Sequence, residues 1–141
     1  MIVRKLAARW FNLPPYPDAP YIMDSQGEKF WLAWDIDEFS LALSVCYRGK
    51  FVGIVELLWN DDGTLELTGI EIFEQYRPRL MHRGLGKAML DEVVRKAREV
   101  GAKTIVGVIN PIGDTVDANY LREWYARQGF IVRGREILMC L

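Results

Sequence analysis

The sequence contains few of the side chains that bind metals or form disulfides. It has one histidine, His82, and two cysteines, Cys46 and Cys140, which lie far apart and in no Cys-x-x-Cys motif. This pattern provides neither a zinc site nor a disulfide framework. We therefore expect no metal, and a reduced, cytoplasmic protein is the plain interpretation.

Long apolar runs and an excess of one charge are also missing. No apolar run approaches the roughly 20 residues that cross a bilayer, and residues 1–10 lack the apolar centre of a signal peptide. The 18 Lys and Arg residues nearly balance the 19 Asp and Glu residues, so bulk attraction to nucleic acid is not expected. With 141 residues, half of them hydrophobic, the chain is long enough for a single domain over residues 1–141.

Alternating apolar residues predict three consecutive strands, over residues 39–47, 51–59 and 65–73. Short turns containing Gly49 and Gly63 join them, which indicates an antiparallel meander. In the third strand the apolar period slips near Thr68 and Gly69, as it does at a β-bulge.

The second half of the chain alternates helix and strand patterns. An apolar stripe predicts a helix over residues 83–100, stopped by Gly101, with Asp91 and Arg95 paired on its exposed face. A strand over residues 104–109 should then lie parallel to the strand over residues 65–73. A helix over about residues 115–128, capped by Asp114, and a strand over residues 130–138, interrupted by Gly134, complete the pattern.

The N-terminal quarter is unusual because it is rich in proline. Four prolines between residues 14 and 20 exclude a helix there and favour an extended path. The aromatic run over residues 30–34 should pack on the core, and it could also serve an interface in a homodimer.

The chain is organised around the stretch over residues 79–90, which follows a strand and opens a helix. Gly84 and Gly86 let the backbone approach a ligand, and the start of a helix offers unpaired N–H groups to an anion. Arg83 and Lys87 add positive charge beside that point. The spacing fits neither a P-loop nor a dinucleotide fingerprint. A phosphate-binding turn is predicted, and a tight turn without ligand is the alternative.

This stretch resembles the pyrophosphate loop of the GNAT superfamily of acyl-CoA-dependent N-acetyltransferases. Pro78 stands six residues before Gly84, as is frequent in the family, whereas Met81 replaces the usual Arg or Gln. A second motif agrees in Tyr125 and the following Gly-Phe pair, with Asn119 one place later than usual. The resemblance implies an α/β (α+β) fold with a mixed, mostly antiparallel central sheet flanked by helices. It implies acetyl-CoA as cosubstrate, bound by Tyr76, His82, Arg83, Gly84, Leu85, Gly86, Lys87 and Asn119.

Two further family features are expected from the resemblance. Two N-terminal helices normally wall the acceptor site, and this chain does not have their pattern. The family's bulge, counted back from Gly84, would fall near Gln75 and Tyr76, so the slip at Gly69 is either a displaced bulge or a separate one.

The reaction of this family needs an acid for the departing thiolate and a base for the amine. By resemblance, Tyr125 holds the place of the acid, although it could simply pack on the sheet beside Trp124. Glu71 is the preferred candidate for the base among the carboxylates on or near the third strand, and an exposed strand carboxylate is its alternative interpretation.

The sequence therefore predicts an N-acetyltransferase in which a primary amine, on a small molecule or a protein, attacks acetyl-CoA directly in a ternary complex. The alternative is a CoA-binding domain that has lost its acceptor site and serves regulation or interaction. A nucleic-acid-modifying enzyme is a weaker idea that rests only on Arg4, Lys5 and Arg9. The acceptor itself is not identified.

Overall fold

The computed structural model describes residues 10–110 and 117–141. A single turn of 3-10 helix, Glu74–Tyr76, precedes the first of three α-helices, and the strands form an eight-stranded sheet. The elements are β1 (Tyr21–Met23), β2 (Lys29–Ile36), β3 (Ser40–Tyr47), β4 (Lys50–Trp59), β5 (Thr64–Ile72), α1 (Arg77–Leu80), α2 (Leu85–Glu99), β6 (Thr104–Val108), α3 (Ala118–Arg127), β7 (Ile131–Arg133) and β8 (Glu136–Cys140).

The strand order is β1-β2-β3-β4-β5-β6-β8-β7. Short turns connect β2 to β5, so these strands pair antiparallel with their sequence neighbours. Only β5 and β6, which are joined through α2, pair in parallel. The mixed, mostly antiparallel sheet and the antiparallel meander are therefore confirmed.

The core lies between the sheet and α2. Val55 and Leu65 are completely buried on the sheet side, and α2 contributes the stripe that its period predicts, with Leu85, Met89, Val93 and Ala97 all buried. Gly53 allows the close approach, because a Cβ atom there would lie 3.3 Å from the Met89 Cε. Burying each large apolar side chain contributes about 1.5–3 kcal/mol, so this stripe fixes α2, and hence its first turn, on the sheet.

A β-bulge at Thr68 interrupts β5, as the slip in the apolar period predicts. Glu56 of β4 lies opposite Gly69, and the next residue, Leu57, lies opposite Leu67, so Thr68 is the extra residue. The Thr68 hydroxyl donates a hydrogen bond to the Glu56 carbonyl at 3.1 Å. The bulge expected near Gln75 and Tyr76 is not there, because both residues lie in the 3-10 turn.

The bulge also ends the pairing between β5 and β6. The parallel register runs from the Thr64–Thr104 pair to the Leu67–Gly107 pair and stops. Beyond Thr68, β5 stays paired with β4, whereas Val108 of β6 pairs with Glu136 of β8. The two central strands therefore separate at their C-terminal ends and leave an opening in the sheet.

The N-terminal quarter contributes strands rather than the two helices usual in the resembled family. β1 and β2 form a hairpin at the edge of the sheet, and the aromatic run packs on the core as expected, with Phe30 and Leu32 almost fully buried. Among residues 10–37 the structure contains no helix beyond the two helical residues 10–11.

Three local predictions are corrected. The strand expected over residues 130–138 is a hairpin of β7 and β8, because Gly134, at φ 60°, reverses the chain. The second helix begins at Ala118, with the Asp117 carboxylate accepting a hydrogen bond from the Tyr120 N–H, so Asp117 caps it. The proposed cap, Asp114, lies outside the described residues. Arg95 pairs with Glu92 and Glu99, whereas Asp91 pairs with Lys87.

We predict a sharp difference in stability between two adjacent leucines of β4. Leu57 is 1% exposed on the helix-covered face, whereas Leu58 is 45% exposed on the other face. Leu57→Ala should lower the free energy of unfolding by about 2–5 kcal/mol, and Leu58→Ala by about 0.5 kcal/mol or less. Urea denaturation of both variants measures this, and equal losses would contradict the assignment of the two faces.

Candidate functional site

A cavity of about 460 Å³ lies where β5 and β6 separate. The bulged part of β5, the end of β6, the first turn of α2 and one face of α3 form its walls. Most of its lining is apolar, and its polar or titratable side chains are Thr68, Glu71, Arg77, His82, Lys87, Asn110, Tyr120 and Tyr125.

The first turn of α2 faces this cavity with unpaired backbone donors. The first hydrogen bond of the helix runs from the Ala88 N–H to the Gly84 carbonyl at 3.0 Å, so the N–H groups of Leu85, Gly86 and Lys87 have no partner within the helix. Gly84, at φ 77°, caps the helix without any side-chain hydrogen bond. Free donors together with the positive end of a helix of 15 residues suit a phosphate group.

The two glycines of the loop have different structural roles. Gly84 adopts a left-handed conformation that strains any side chain, and a Cβ atom there would lie 3.5 Å from the Ser25 backbone nitrogen. Gly86 has ordinary helical geometry, and its Cβ would lie 3.4 Å from the Trp124 ring of α3. Gly86 therefore keeps the space between α2 and α3 open, and it is the better position for a test substitution.

The two cations of the loop differ in what they can offer to an anion. The Arg83 guanidinium lies 2.7 Å from the buried Asp24 carboxylate and does not line the cavity, so the expectation that its charge faces the anion is not met. Lys87 lines the cavity, and its ion pair with Asp91 is exposed on both sides. Because exposed pairs contribute little free energy, Lys87 is free to turn towards a ligand.

Three other residues expected to bind the cosubstrate lie in different places. His82, at φ 62°, lines the cavity edge-on to the Tyr120 ring. Tyr76 lines a separate cavity of about 440 Å³ on the other side of α1. Asn119 is exposed in the first turn of α3 and does not line the main cavity. The structure thus brings His82 to the anion-binding turn, but not Tyr76 or Asn119.

Tyr125 lines the cavity from α3 and is 6% exposed. Its ring makes edge contacts with Trp124 and Phe130, and its hydroxyl has no hydrogen-bond partner among the described residues. Burial raises the pKa of the Tyr125 hydroxyl to about 12. The hydroxyl therefore stays protonated near neutral pH and can donate a hydrogen bond to a group in the cavity.

Glu71 enters the same cavity from the opposite side of the sheet. It lies opposite Ile54 in register, whereas its neighbours Ile70 and Ile72 lie on the face covered by α2. Its carboxylate is 3.6 Å from the Arg77 guanidinium, whose Nε donates to the Ile72 carbonyl at 2.9 Å. Glu71 is therefore a partly exposed carboxylate at the edge of the opening in the sheet.

The sequence analysis missed several residues of this site. Arg77, Tyr120 and Trp124 line the cavity, and Asp24 holds the loop from a distant turn. Trp124 and Tyr120 share α3 with Tyr125, so helical spacing could have suggested them. Nothing in the sequence signals Asp24, because its contact with Arg83 spans 59 residues (83 − 24) and depends on the fold.

The described residues contain no group of three or more His, Cys, Asp or Glu side chains that could hold a metal ion. In the same part of the chain, no helix combines the length and the apolar character that a bilayer span requires.

The chain matches a family model. The model of the acetyltransferase (GNAT) family matches residues 3–130. No curated protein sequence matches the chain.

Solved structures share the fold at low sequence identity. A GNAT acetyltransferase from Elizabethkingia anophelis with acetyl-CoA bound is 18% identical, with a TM-score of 0.57 over 72% of this chain and 76% of that one. A Bacillus subtilis acetyltransferase in complex with CoA is 20% identical, with a TM-score of 0.57 over 74% and 78%. A GNAT-family protein from Desulfovibrio desulfuricans is 23% identical, with a TM-score of 0.56 over 73% and 68%.

The raised pKa of Tyr125 predicts a loss of stability at alkaline pH. In the unfolded chain a tyrosine ionises near pH 10, whereas in the folded protein burial raises its pKa to about 12. Proton binding by the folded form therefore contributes stability below pH 10, and this contribution is lost as the pH rises through 12. At pH 11 the loss should be about 1.4 kcal/mol.

Urea unfolding at pH 8 and pH 11 measures this loss. Tyr125→Phe should be less sensitive to alkaline pH than the unaltered protein by that amount. Tyr120→Phe, on an exposed tyrosine of the same helix, should behave like the unaltered protein. An identical pH dependence in all three proteins would show that Tyr125 is not buried as described.

Proposed function

Because the chain belongs to the acetyltransferase (GNAT) family, we propose that it is an N-acetyltransferase that transfers the acetyl group of acetyl-CoA to a primary amine. The observation that supports this most is the meeting of three features in one cavity. These are the free N–H groups at the start of α2, the opening between β5 and β6, and the Tyr125 hydroxyl. A long ligand with a phosphate at one end and a reactive group at the other matches this arrangement.

In the proposed complex the pyrophosphate of acetyl-CoA accepts hydrogen bonds from the N–H groups of Leu85, Gly86 and Lys87. The pantetheine arm then extends into the opening beside the bulge at Thr68. There the backbone of residues 69–72 has no strand partner on the side of β6 among the described residues, so its polar groups are available to the arm. Tyr125 and Trp124 close the cavity from the side of α3.

The acceptor amine approaches from the sheet face on which Glu71 lies. The neutral amine attacks the thioester carbonyl, forming the C–N bond, and the C–S bond then breaks as the tetrahedral intermediate collapses. Glu71, directly or through water, takes the proton from the amine. The Tyr125 hydroxyl donates its proton to the departing sulfur, so no covalent intermediate on the protein is required.

A CoA-binding domain without transferase activity is the second candidate. The exposed position of Asn119 outside the cavity favours it, as does the absence of the family's N-terminal helices from residues 12–37. The two candidates differ in one observable result. With acetyl-CoA and a panel of amines, peptides and aminoglycosides, the enzyme releases thiol together with an amide product, whereas the binding domain does neither.

We predict that CoA binding depends on the space at Gly86. Saturating CoA, at about 100 times its Kd, should stabilise the native state by about 2.7 kcal/mol. Gly86→Val should abolish this effect, because its branched side chain would fill the space beside Trp124 and the free N–H groups. Thermal unfolding with and without CoA measures the effect.

The control for that test is Ala126→Val, which adds comparable bulk to an exposed site on α3 away from the cavity lining. It should keep the full CoA effect. If CoA does not stabilise the unaltered protein, the proposed function is wrong. If Gly86→Val keeps the effect, CoA binds elsewhere.

We also predict separate roles for Tyr125 and for the cosubstrate loop. Tyr125→Phe keeps the ring but removes the proton, so kcat should fall by about a hundredfold to ten-thousandfold while CoA-induced stabilisation is unchanged. Nearly full turnover in this variant would reduce Tyr125 to a packing residue.

Glu71→Gln tests the base in the same thiol-release assay and should also lower kcat. Glu66→Gln is its matched control, because Glu66 lies on the same strand but does not line the cavity. Equal rates for the two glutamine variants would exclude Glu71 as the base.

A further inference from the structure

One buried charge lies outside the cavity and has no place in the proposed reaction. Asp24, in the turn between β1 and β2, is the single buried charged residue in the part of the chain that the structure describes. Its Oδ1 accepts hydrogen bonds from the N–H groups of Gln26 and Glu28, each at 3.0 Å. This oxygen closes the turn, and Oδ2 is left for another partner.

That partner is Arg83, in the centre of the anion-binding turn. The Asp24 Oδ2 lies 2.7 Å from the Arg83 Nη2, and the Asp24 side chain is completely buried. A second link runs between the backbones, because the Ser25 N–H donates to the Arg83 carbonyl at 2.7 Å. The β1–β2 turn therefore holds Arg83 by both its side chain and its main chain.

The geometry of this ion pair is unfavourable for a purely stabilising role. Neither the Asp24 Oδ2 nor the Arg83 Nε makes a well-aligned hydrogen bond among the described residues, so the 2.7 Å contact is ionic without good hydrogen-bond geometry. Removing two charges from water costs free energy that such a pair recovers only with good geometry. Its value to the protein must therefore be sought in what it positions.

What it positions is a strained segment of backbone. Arg83 lies between His82 at φ 62° and Gly84 at φ 77°, both in the left-handed region, which non-glycine residues such as His82 rarely adopt. Strained conformations of this kind persist only where the surroundings fix them. The two links from Asp24 and Ser25 fix the residue between them, and the free N–H groups begin two residues later, at Leu85.

We propose that Asp24 is a positioning residue for CoA, acting through Arg83 to hold the loop in the conformation that presents its N–H groups to the pyrophosphate. This inference rests on the proposed binding of CoA at that loop. It makes the N-terminal hairpin, which replaces the helices usual in the family, a functional part of the cosubstrate site.

Asp24→Asn tests the inference, because it keeps the oxygen that closes the turn and removes only the charge. The Kd for CoA, measured by calorimetry, should rise about tenfold or more, since a displacement of about 1 Å in a binding group can cost a hundredfold. The KM for acetyl-CoA should rise with it, while kcat changes little. If Arg83 were instead a phosphate ligand held back by Asp24, the variant would bind CoA as tightly or more tightly, and that result would overturn the proposal.

Two further variants separate positioning from stability. Glu92→Gln breaks another ion pair, between a carboxylate 10% exposed and Arg95 at 2.6 Å, and should leave the Kd for CoA unchanged. The double variant Asp24→Asn, Arg83→Met removes both charges, so it should fold even if Asp24→Asn alone does not. It should still bind CoA weakly, and a Kd equal to that of the unaltered protein would overturn the positioning role alone. Failure of the unaltered protein to bind CoA would instead overturn the proposed function, and this inference with it.

Discussion

The loss of pairing between β5 and β6 at Thr68 is the constraint on which the rest of the structure depends. One extra residue in β5 ends the parallel ladder after Leu67, so the strands separate and the sheet opens at its centre. An opening of this kind exposes main-chain groups that would otherwise be paired, and it lets a ligand pass between two faces of a sheet. The cavity, Glu71 on one side and Tyr125 on the other are all consequences of that interruption.

The helix that follows makes the opening useful. Because α2 is fixed on the sheet by its buried stripe, its first turn points its free N–H groups at the cavity without further cost in order. Gly84 and Gly86 then keep the turn close to the β1–β2 hairpin and to α3, respectively. The site is thus built largely from backbone and apolar walls, and its few charged side chains, Lys87 and Arg77 among them, lie at its edge.

Local patterns in the sequence predicted much of this arrangement. The two-residue period defined β3 to β5 and located the bulge, and the helical period with the glycine pair defined α2 and the anion-binding turn. Features that depend on distant contacts were not predictable. The orientation of Arg83 depends on Asp24, the hairpin at Gly134 depends on pairing of β8 with β6, and the position of Tyr76 depends on the turn before α1. Residue type and spacing carry no information on such long-range partners.

The central claim is that CoA lies between the start of α2 and the opening beside the bulge. Amide chemical shifts of the labelled protein, recorded as CoA is added, test it most directly. The account predicts the largest shifts at Leu85, Gly86 and Lys87 and at residues 68–70, with small ones at the separate cavity around Tyr76. Large shifts around Tyr76, with the start of α2 unaffected, would contradict it.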